Sequence, residues 1–364
     1  MRVPHFTTVW QTESGPHVKQ RGLVSRKFGR AGASHCEAGV RGRMPSPERH
    51  GWRICVPPNN DLPPLVGPLV RSYTSTMRLR CGKATLDLSR PIVMGVLNVT
   101  PDSFSDGGTY RDASAAIDHG RRMVEEGASI IDVGGESTRP GSRSIPEAEE
   151  ILRVVPVIEA LSSALPGTVI SVDTSKPGVM RAALHAGARM INDIRALAAP
   201  GAMELLASDS RAPAVCLMHM QGEPQTMQIR PHYEEVVGEV RAFLSARVAA
   251  CVAAGIEKER LVIDPGFGFG KTLQHNLELL RRLGELASDG IPVLAGLSRK
   301  SMIKALLEDR DHTGENLAAE RMPASLALAV LAVLSGARII RAHDVRETCD
   351  AIRIASAVQS RAAA

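Results

Sequence analysis

The chain of 364 residues is 44% hydrophobic and 23% charged, a composition typical of a globular protein with a large core. Its longest apolar run, from Leu326 to Leu334, is too short to cross a bilayer, so the sequence excludes a transmembrane protein and predicts no membrane partner. The net charge of +5 comes from residues 1–76, which hold 11 Lys or Arg against 4 Asp or Glu. Residues 77–364 hold 33 Lys or Arg against 35 Asp or Glu and are nearly neutral, so no nucleic-acid partner is expected for them.

Residues 1–76 also differ in texture, with 9 Pro, 8 Gly and no sustained helical or strand period. Such a segment buries too little apolar surface to offset the entropy lost on ordering, so we expect a low-order basic extension. Three interpretations stay open: an upstream extension with Met77 as the natural start, an Arg-rich targeting peptide, or a weak tether to nucleic acid. The first is favoured because regular sequence begins directly after Met77.

The six cysteines are scattered and form no C-x-x-C motif. This pattern argues against a disulfide framework and against a structural zinc site. The N-terminus also lacks a basic stretch followed by an apolar segment, which a secretory signal requires. Both observations predict a protein of the cytoplasm.

From residue 77 onward, short β-rich runs alternate with longer amphipathic stretches such as 113–126 and 277–286. The predicted strands are 92–97, 129–133, 169–172, 190–191, 214–218, 261–263, 292–295 and 338–340. Several helical stretches end at a glycine followed by alanine and the next strand, as at Gly127, Gly187 and Gly336. Eight such units in residues 77–364 predict an α/β fold, a (β/α)8 TIM barrel, with a doubly wound open sheet as the alternative.

Polar residues follow nearly every predicted strand, at the end where a (β/α)8 barrel builds its active site. In chain order they are 98–108, Asp132 with 134–142, 173–175, 192–193, 218–222, 264–271, 298–301 and 341–344. A barrel with only a structural role has no reason to place polar groups at every strand end. The pattern therefore predicts a binding or catalytic site there.

Four of these residues, on four different strands, can recognise a flat heterocycle with several N–H donors and a carbonyl group. They are Asp173, Asn192, Asp264 and Lys300. A carboxylate accepts from two adjacent N–H groups, and an asparagine both donates and accepts. We expect the apolar side chains of Met218 and Phe269 to enclose the two faces of the ring.

A second group of strand-end residues is suited to an anion. Arg341 and His343 lie two residues apart on the last strand, so their side chains point the same way, towards the segment that begins at Asn98. A diphosphate is a natural ligand for this cluster, and Mg²⁺ with Asn98 as an oxygen ligand can accompany it.

Other motifs have simpler interpretations or fail their templates. The Gly-Lys-Thr at 270–272 resembles a P-loop, but Pro265 stands where that motif needs its first glycine. We interpret Asp193 and Asp344 as turn or cap residues and His219 as a packed or capping histidine. The sequence contains neither His-Glu-x-x-His nor a nucleophile elbow, so hydrolytic zinc and serine chemistry have no support.

Seven segments, each at a different strand end, resemble the signature segments of the dihydropteroate synthase family. They are 94–108, 131–141, 171–177, 191–194, 261–271, 298–301 and 341–345. The resemblance runs from about Leu86 to the C-terminus. It implies a transferase of folate biosynthesis that joins 6-hydroxymethyl-7,8-dihydropterin diphosphate to p-aminobenzoate and releases 7,8-dihydropteroate and diphosphate.

The resemblance also implies roles for individual residues. The pterin site would comprise Asp173, Asn192, Met218, Asp264, Phe269, Lys300 and Arg341. The p-aminobenzoate pocket and its closing loops, 99–108 and 134–142, would include Phe104, Thr138, Pro140, Lys300 and Ser301. Catalysis would involve Asn98, Asp102, Arg139, Lys300, Arg341 and His343, with Asn98 as the Mg²⁺ ligand.

No residue resembles an activated nucleophile, so we expect an SN1-like substitution in which diphosphate leaves first and Asp102 or the closed loops shield the pterin cation from water. Sulfonamides, which mimic p-aminobenzoate, are expected to compete with it. The family implies a homodimer formed by the later helices. Two rivals stay open: a pterin-dependent methyltransferase, and a silent paralogue that binds pterin without turnover.

Overall fold

The computed structural model describes residues 77–99, 109–137, 141–142, 144–307 and 317–359. The predictions for residues 1–76, and for Asp102, Phe104, Thr138, Arg139 and Pro140, lie outside the described residues. All eight predicted strands and the other predicted site residues lie within them.

A β-hairpin that the sequence does not predict opens the described chain. It joins β1 (Arg78–Cys81) to β2 (Ala84–Asp87) in antiparallel register. Gly82 turns the chain with a left-handed φ of +63°. The buried side chains of Leu79, Cys81 and Leu88 pack against the first residues of the barrel strands, among them Met94. The hairpin therefore closes the N-terminal end of the barrel, and its four-residue strands are too short to show a period in the sequence.

Eight parallel strands form the barrel. They are β3 (Ile92–Asn98), β4 (Ala128–Gly134), β5 (Val169–Asp173), β6 (Met190–Asp193), β7 (Ala214–Met218), β8 (Leu261–Asp264), β9 (Leu294–Ala295) and β10 (Ile339–Ala342). Their order in the sheet is β8-β7-β6-β5-β4-β3-β10-β9, and a parallel bridge between Ile263 and Val293 joins the two edges. This closure confirms the predicted (β/α)8 barrel and excludes the open sheet.

Six of the strands run one or two residues farther at their C-terminal ends than predicted, while β9 keeps only the last two of its four predicted residues. Most of the extra residues are polar, which ends the apolar pattern before the hydrogen-bonded ladder ends. Asp173, for example, pairs with Gly134 on one side and with Asn192 on the other. The sheet therefore carries five of the predicted site residues beyond the predicted strand ends, and it positions side chains more precisely than a loop does; they are Asn98, Asp173, Asn192, Asp264 and Arg341.

Helices surround the barrel. They are α1 (Thr109–Glu125), α2 (Glu147–Ala164), α3 (Pro177–His185), α4 (Ala202–Ser208), α5 (Val236–Ala253), α6 (Leu273–Arg281), α7 (Leu283–Ala287), α8 (Ser301–Leu306), α9 (Leu317–Leu334) and α10 (Val345–Gln359). The single helical stretch predicted at 277–286 is interrupted at Arg282, which separates α6 from α7. In the described ranges, no helix has both the length and the apolar character needed to cross a membrane.

Glycines reverse the chain between several helices and the strands that follow. Gly127, Gly187 and Gly336 have φ values of +108°, +108° and +109°. A side chain at such a left-handed position would be strained, so glycine ends the helix at low cost. The predicted role of these three glycines is confirmed.

Candidate active site

A charged network at the C-terminal end of the barrel joins four strands. Arg341 on β10 donates from Nε to Oδ2 of Asp132 on β4, at 2.7 Å, and from Nη2 to Oδ2 of Asp173 on β5, at 2.8 Å. Asn192 on β6 donates from Nδ2 to the same oxygen of Asp132, at 2.9 Å. The arginine and the amide therefore share one buried carboxylate, which fixes the orientation of both.

Two oxygens of this network have no hydrogen-bond donor among the described residues. They are Oδ1 of Asp132 and Oδ1 of Asp173, and both are buried. Burial raises the pKa of Asp173 to about 7, although the Arg341 guanidinium opposes the shift. A buried acceptor is normally paired, so the open oxygen of Asp173 is a place where the N–H donor of a ligand can bind.

Lys300 and Asp264 form a second part of the same site. The Nζ atom of Lys300 lies 4.2 Å from the centre of the Phe269 ring, in cation–π contact. Burial lowers the pKa of Lys300 to about 8, while the nearby carboxylate of Asp264 opposes the shift. Burial also raises the pKa of Asp264, whose Oδ1 accepts from the backbone of Gly266 at 2.7 Å. Met218, buried at the end of β7, supplies an apolar surface nearby.

His343 lies beside this cluster, and Ser298 contacts both its backbone and its ring. Its backbone N–H donates to Oγ of Ser298 at 3.3 Å, and the same Oγ lies 3.0 Å from its Nδ1. A hydroxyl oxygen donates one hydrogen bond and accepts two, so this contact is compatible with either ring tautomer; when Oγ donates to Nδ1, Nε2 carries the ring proton. Burial lowers the pKa of His343 to about 3, so the ring is neutral and, in that tautomer, offers Nε2–H to a ligand.

Arg299 ties the loop after β9 to the loop after β10. Its Nη2 and Nε donate to the carboxylate of Asp344 at 2.5 and 3.2 Å. Its backbone is left-handed, with φ of +58°, and such a conformation persists only when the surroundings enforce it. The ion pair places Lys300 and His343, which flank its two partners in sequence, at the same mouth of the barrel.

The segment after β4 is anchored to its neighbours. Lys176, which follows β5, bridges the carboxylates of Glu136 and Glu150. Arg153 donates to the carbonyl oxygen of Gly135 at 2.9 Å, and a Cβ at Gly135 would lie 2.7 Å from a methyl group of Val154. The base of the loop that begins at Gly134 is therefore fixed against α2. A cavity of about 370 Å³ opens between this base and Asp173.

The predicted residues fall into three sets. The strand-end set meets at the barrel mouth and comprises Asn98, Asp173, Asn192, Met218, Asp264, Phe269, Lys300, Arg341 and His343. Ser301 is exposed as the first residue of α8. The third set, Asp102, Phe104, Thr138, Arg139 and Pro140, lies outside the described residues.

The interpretations of three further residues are tested by their contacts. Asp193 accepts from the backbone N–H groups of Arg195 and Leu197, so it is a turn residue as predicted. His219 is buried and packed, also as predicted. Asp344 precedes α10, but its carboxylate binds Arg299 rather than the first N–H groups of the helix.

Sequence reasoning gave no role to Asp132, Ser298 or Arg299. Asp132 was placed at the end of its strand, whereas it lies inside β4 and is fully buried. A carboxylate within an apolar strand needs a buried partner, and this signal in the sequence could have singled it out.

The chain is similar to known proteins over most of its length. Residues 94–343 match the family model of pterin-binding enzymes. The dihydropteroate synthase of Escherichia coli (strain K12) is 52% identical over 284 residues, which are 78% of this chain and 97% of that protein. The similarity thus extends over almost the whole length of the Escherichia coli enzyme.

Solved structures are similar in the same way. Yersinia pestis dihydropteroate synthase, solved with a sulfonamide drug, has a TM-score of 0.71 at 49% identity and covers 78% of this chain and 100% of its own. The Xanthomonas albilineans enzyme with 4-aminobenzoic acid has a TM-score of 0.71 at 50% identity, covering 79% and 100%. The Xanthomonas albilineans enzyme in complex with 7,8-dihydropteroate has a TM-score of 0.68 at 48% identity, and the match covers 78% of this chain and 99% of that one.

Proposed function

The chain belongs to the pterin-binding enzymes and, among them, to the dihydropteroate synthases, and on that basis we propose how its residues act. It is a transferase of folate biosynthesis that condenses 6-hydroxymethyl-7,8-dihydropterin diphosphate with p-aminobenzoate. The bond from the pterin methylene to the diphosphate oxygen breaks and a bond to the aryl nitrogen forms. The nitrogen then loses a proton.

The pterin ring binds where the buried acceptors converge. The observation that best supports this is the open Oδ1 of Asp173, a buried acceptor suited to a pterin N–H. Asn192, Asp264 and Lys300 add acceptors and donors on neighbouring strands, while Met218 and Phe269 supply the apolar surfaces. Asp132, buried within β4, accepts hydrogen bonds from Arg341 and Asn192 and so holds both in position. It does not itself need to contact the substrate.

The diphosphate binds at Arg341 and at Nε2–H of His343. We infer a Mg²⁺ ion there, and the oxygens present fit it. A Cβ on Gly134 would have Oδ1 of Asn98 at 3.5 Å, so the amide oxygen of Asn98 lies at the C-terminal end of β4 and would hold the ion together with oxygens of the diphosphate and of water. Magnesium prefers oxygen ligands and usually keeps substrate phosphates and waters among them. Once bound, the ion would neutralise charge on the leaving diphosphate.

The chain's own residues then support an SN1-like substitution. Arg341 and His343 stabilise the leaving group, and the pterin ring delocalises the positive charge left on its methylene. In this proposal Asp102 and Arg139 act from the closing loops, which exclude water from the cation. Phe104, Thr138 and Pro140 form the p-aminobenzoate pocket with Lys300 and Ser301.

Competition with a sulfonamide tests the p-aminobenzoate pocket. A sulfonamide has the shape and the aryl amine of that substrate. The apparent KM for p-aminobenzoate is therefore expected to rise linearly with the sulfonamide concentration, while kcat stays unchanged. Initial rates over a matrix of both concentrations decide the matter. A fall in kcat at saturating p-aminobenzoate would place the drug at a different site.

We also propose that the enzyme is a homodimer formed through α9 and α10. These helices pack against each other, and their outer faces carry large apolar side chains: Leu331 is 47% exposed, Ile354 67% and Val358 78%. Ile354 and Val358 are four residues apart on one face of α10. Large apolar side chains exposed on one helix face commonly mark an interface.

The variant Ile354→Glu tests this interface, because it places a charge where the partner would exclude water. Its dimer dissociation constant is expected to rise by about tenfold or more, as measured by sedimentation equilibrium. Leu152→Glu on α2, where the native side chain is 74% exposed, is the control and should not change the dissociation constant. Equal dimer dissociation constants for the two variants would contradict the proposed interface.

We assign the catalytic barrel to residues 77–364 and propose that it works in the cytoplasm without a nucleic-acid partner. In support, four cysteines of the described residues are free: Cys81, Cys216, Cys251 and Cys349. Free thiols are usual in a reducing compartment. The methyltransferase hypothesis loses its basis, because the likeness to dihydropteroate synthases covers 97% of the Escherichia coli enzyme. The silent paralogue is left for the assay of turnover.

A further inference from the structure

We propose that Lys271 is a positioning residue of the pterin site, whose buried ammonium holds the segment that carries Asp264 and Phe269 and supplies positive charge behind Asp264. The inference rests on the proposed function and deepens it. Lys271 is the lysine of the Gly-Lys-Thr sequence at 270–272 that fails the P-loop template, and the reaction outlined above gives it no role.

Lys271 is only 3% exposed, yet its charge is fully coordinated. Its Nζ donates to the carbonyl oxygens of Gly266 and Phe269, each at 3.0 Å, and lies 2.9 Å from Nδ1 of His219. The carbonyl oxygen of His219 lies 3.4 Å from the same Nζ, so each of the three N–H donors of the ammonium has an acceptor within reach. Burial and the charge of Lys271 lower the pKa of His219 to about 3, so the ring is neutral and can accept through Nδ1.

The segment that surrounds Lys271 has little freedom to find another arrangement. A Cβ at Gly266 would lie 1.9 Å from the carbonyl oxygen of His219, and one at Gly270 would lie 2.3 Å from that of Gln221. Both glycines have left-handed backbones, with φ of +68° and +62°. The segment therefore packs closely against the loop that follows β7. Lys271 binds two of the carbonyl groups of this segment, those of Gly266 and Phe269.

Lys271 also acts on Asp264 through charge. Burial lowers the pKa of Lys271 to about 7, and Asp264 opposes this shift while Lys300 adds to it. In return, Lys271 and Lys300 both lower the pKa of Asp264, against the effect of its burial. The other titratable or charged groups near this region are Cys216 on β7, His219 after β7, Tyr233 before α5, His275 on α6 and Arg341 on β10.

The sign of the expected effect follows from these neighbours. Asp264 must be ionised to accept from the N–H groups of a pterin. Loss of the charge on Lys271 raises the pKa of Asp264, so the carboxylate is protonated, and pterin binding weakens, at a higher pH than in the wild type. The difference shrinks at alkaline pH, where Lys271 itself loses its proton.

The variant Lys271→Met removes both the charge and the hydrogen bonds. We expect the KM for dihydropterin diphosphate at pH 7 to rise by about tenfold or more, and the KM for p-aminobenzoate to stay within about twofold. The acid limb of the pH profile of kcat/KM for the pterin substrate should move to higher pH.

A matched control is Asn276→Ala. Asn276 is buried, accepts from the backbone of Gly268 at 2.7 Å and donates to Thr272 at 2.6 Å, so it fixes the same segment without a charge. This variant should raise the KM for the pterin substrate and leave the acid limb in place. Lys271→Arg, which keeps the charge, should also leave the limb in place and provides the test if Lys271→Met does not fold.

A shifted acid limb in Asn276→Ala or Lys271→Arg would overturn the proposal, and so would an unshifted limb in folded Lys271→Met. The wild-type chain is assayed in parallel. An inactive wild type would refute the proposed function itself, whereas an active wild type with an unaltered Lys271→Met variant would refute only the role of Lys271.

Discussion

Lys300→Ala is expected to lower kcat/KM for dihydropteroate formation by about 10³-fold, the scale observed when one preorganised donor is removed from an active site. The ammonium of Lys300 lies 4.2 Å from the centre of the Phe269 ring, and its charge interacts with the carboxylate of Asp264. Its loss removes a donor to the pterin and leaves Asp264 with less positive charge nearby. Steady-state rates with both substrates measure the effect.

Lys304→Ala is the control for that variant. Lys304 is exposed on α8, one turn beyond the start of the helix, so its loss should leave kcat/KM within about twofold of wild type. A Lys300→Ala enzyme that retained more than a tenth of wild-type activity would show that the pterin site lies elsewhere.

Arg341→Met should impair both activity and stability. Removal of the guanidinium leaves the buried carboxylates of Asp132 and Asp173 without their shared partner. Breaking a buried ion pair from one side typically costs about 3–5 kcal/mol of the free energy of unfolding. Turnover should fall below about a thousandth of wild type, because the same guanidinium binds the diphosphate.

The stability loss of Arg341→Met should depend on pH. A carboxyl group whose pKa is raised in the folded state stabilises the fold at low pH and loses that contribution as the pH rises through its folded pKa. Asp173 already has a pKa of about 7 beside Arg341, and without the arginine this value rises further. The variant should therefore be much less stable than wild type at pH 8 and closer to it at pH 5.

Urea unfolding at both pH values measures this dependence. Arg241→Met is the matched control, because Arg241 makes an exposed ion pair with Asp289 on the surface. Its effect on the free energy of unfolding should be small at either pH, because solvent screens an exposed ion pair. An Arg341→Met variant with the same small cost as Arg241→Met would contradict the account of the buried network.

The barrel and most of its site could be predicted from the sequence because both depend on local patterns. The carboxyl ends of parallel strands meet at one face, so residues such as Asp173, Asn192 and Asp264 come together once their strands are recognised. The predicted strand ends were short by one or two residues for the same reason: polar site residues end the apolar pattern while the ladder continues.

The rest depends on contacts between distant parts of the chain. Asp132 gains its role from Arg341, which lies 209 residues away, and no local pattern records that pairing. Lys271 lies in a sequence that fails the P-loop template, and its role depends on acceptors from two different loops, which no local pattern brings together. The hairpin of β1 and β2 packs against the N-terminal end of the barrel. Its four-residue strands are too short to show a recognisable pattern in the sequence.

Turnover by the full-length chain tests the central claim most directly. The protein is mixed with 6-hydroxymethyl-7,8-dihydropterin diphosphate, p-aminobenzoate and Mg²⁺, and dihydropteroate and diphosphate are followed together. The account predicts that the two products appear in equal amounts and that both depend on p-aminobenzoate. A folded protein that binds the pterin substrate but forms neither product would contradict it and identify a silent pterin-binding paralogue.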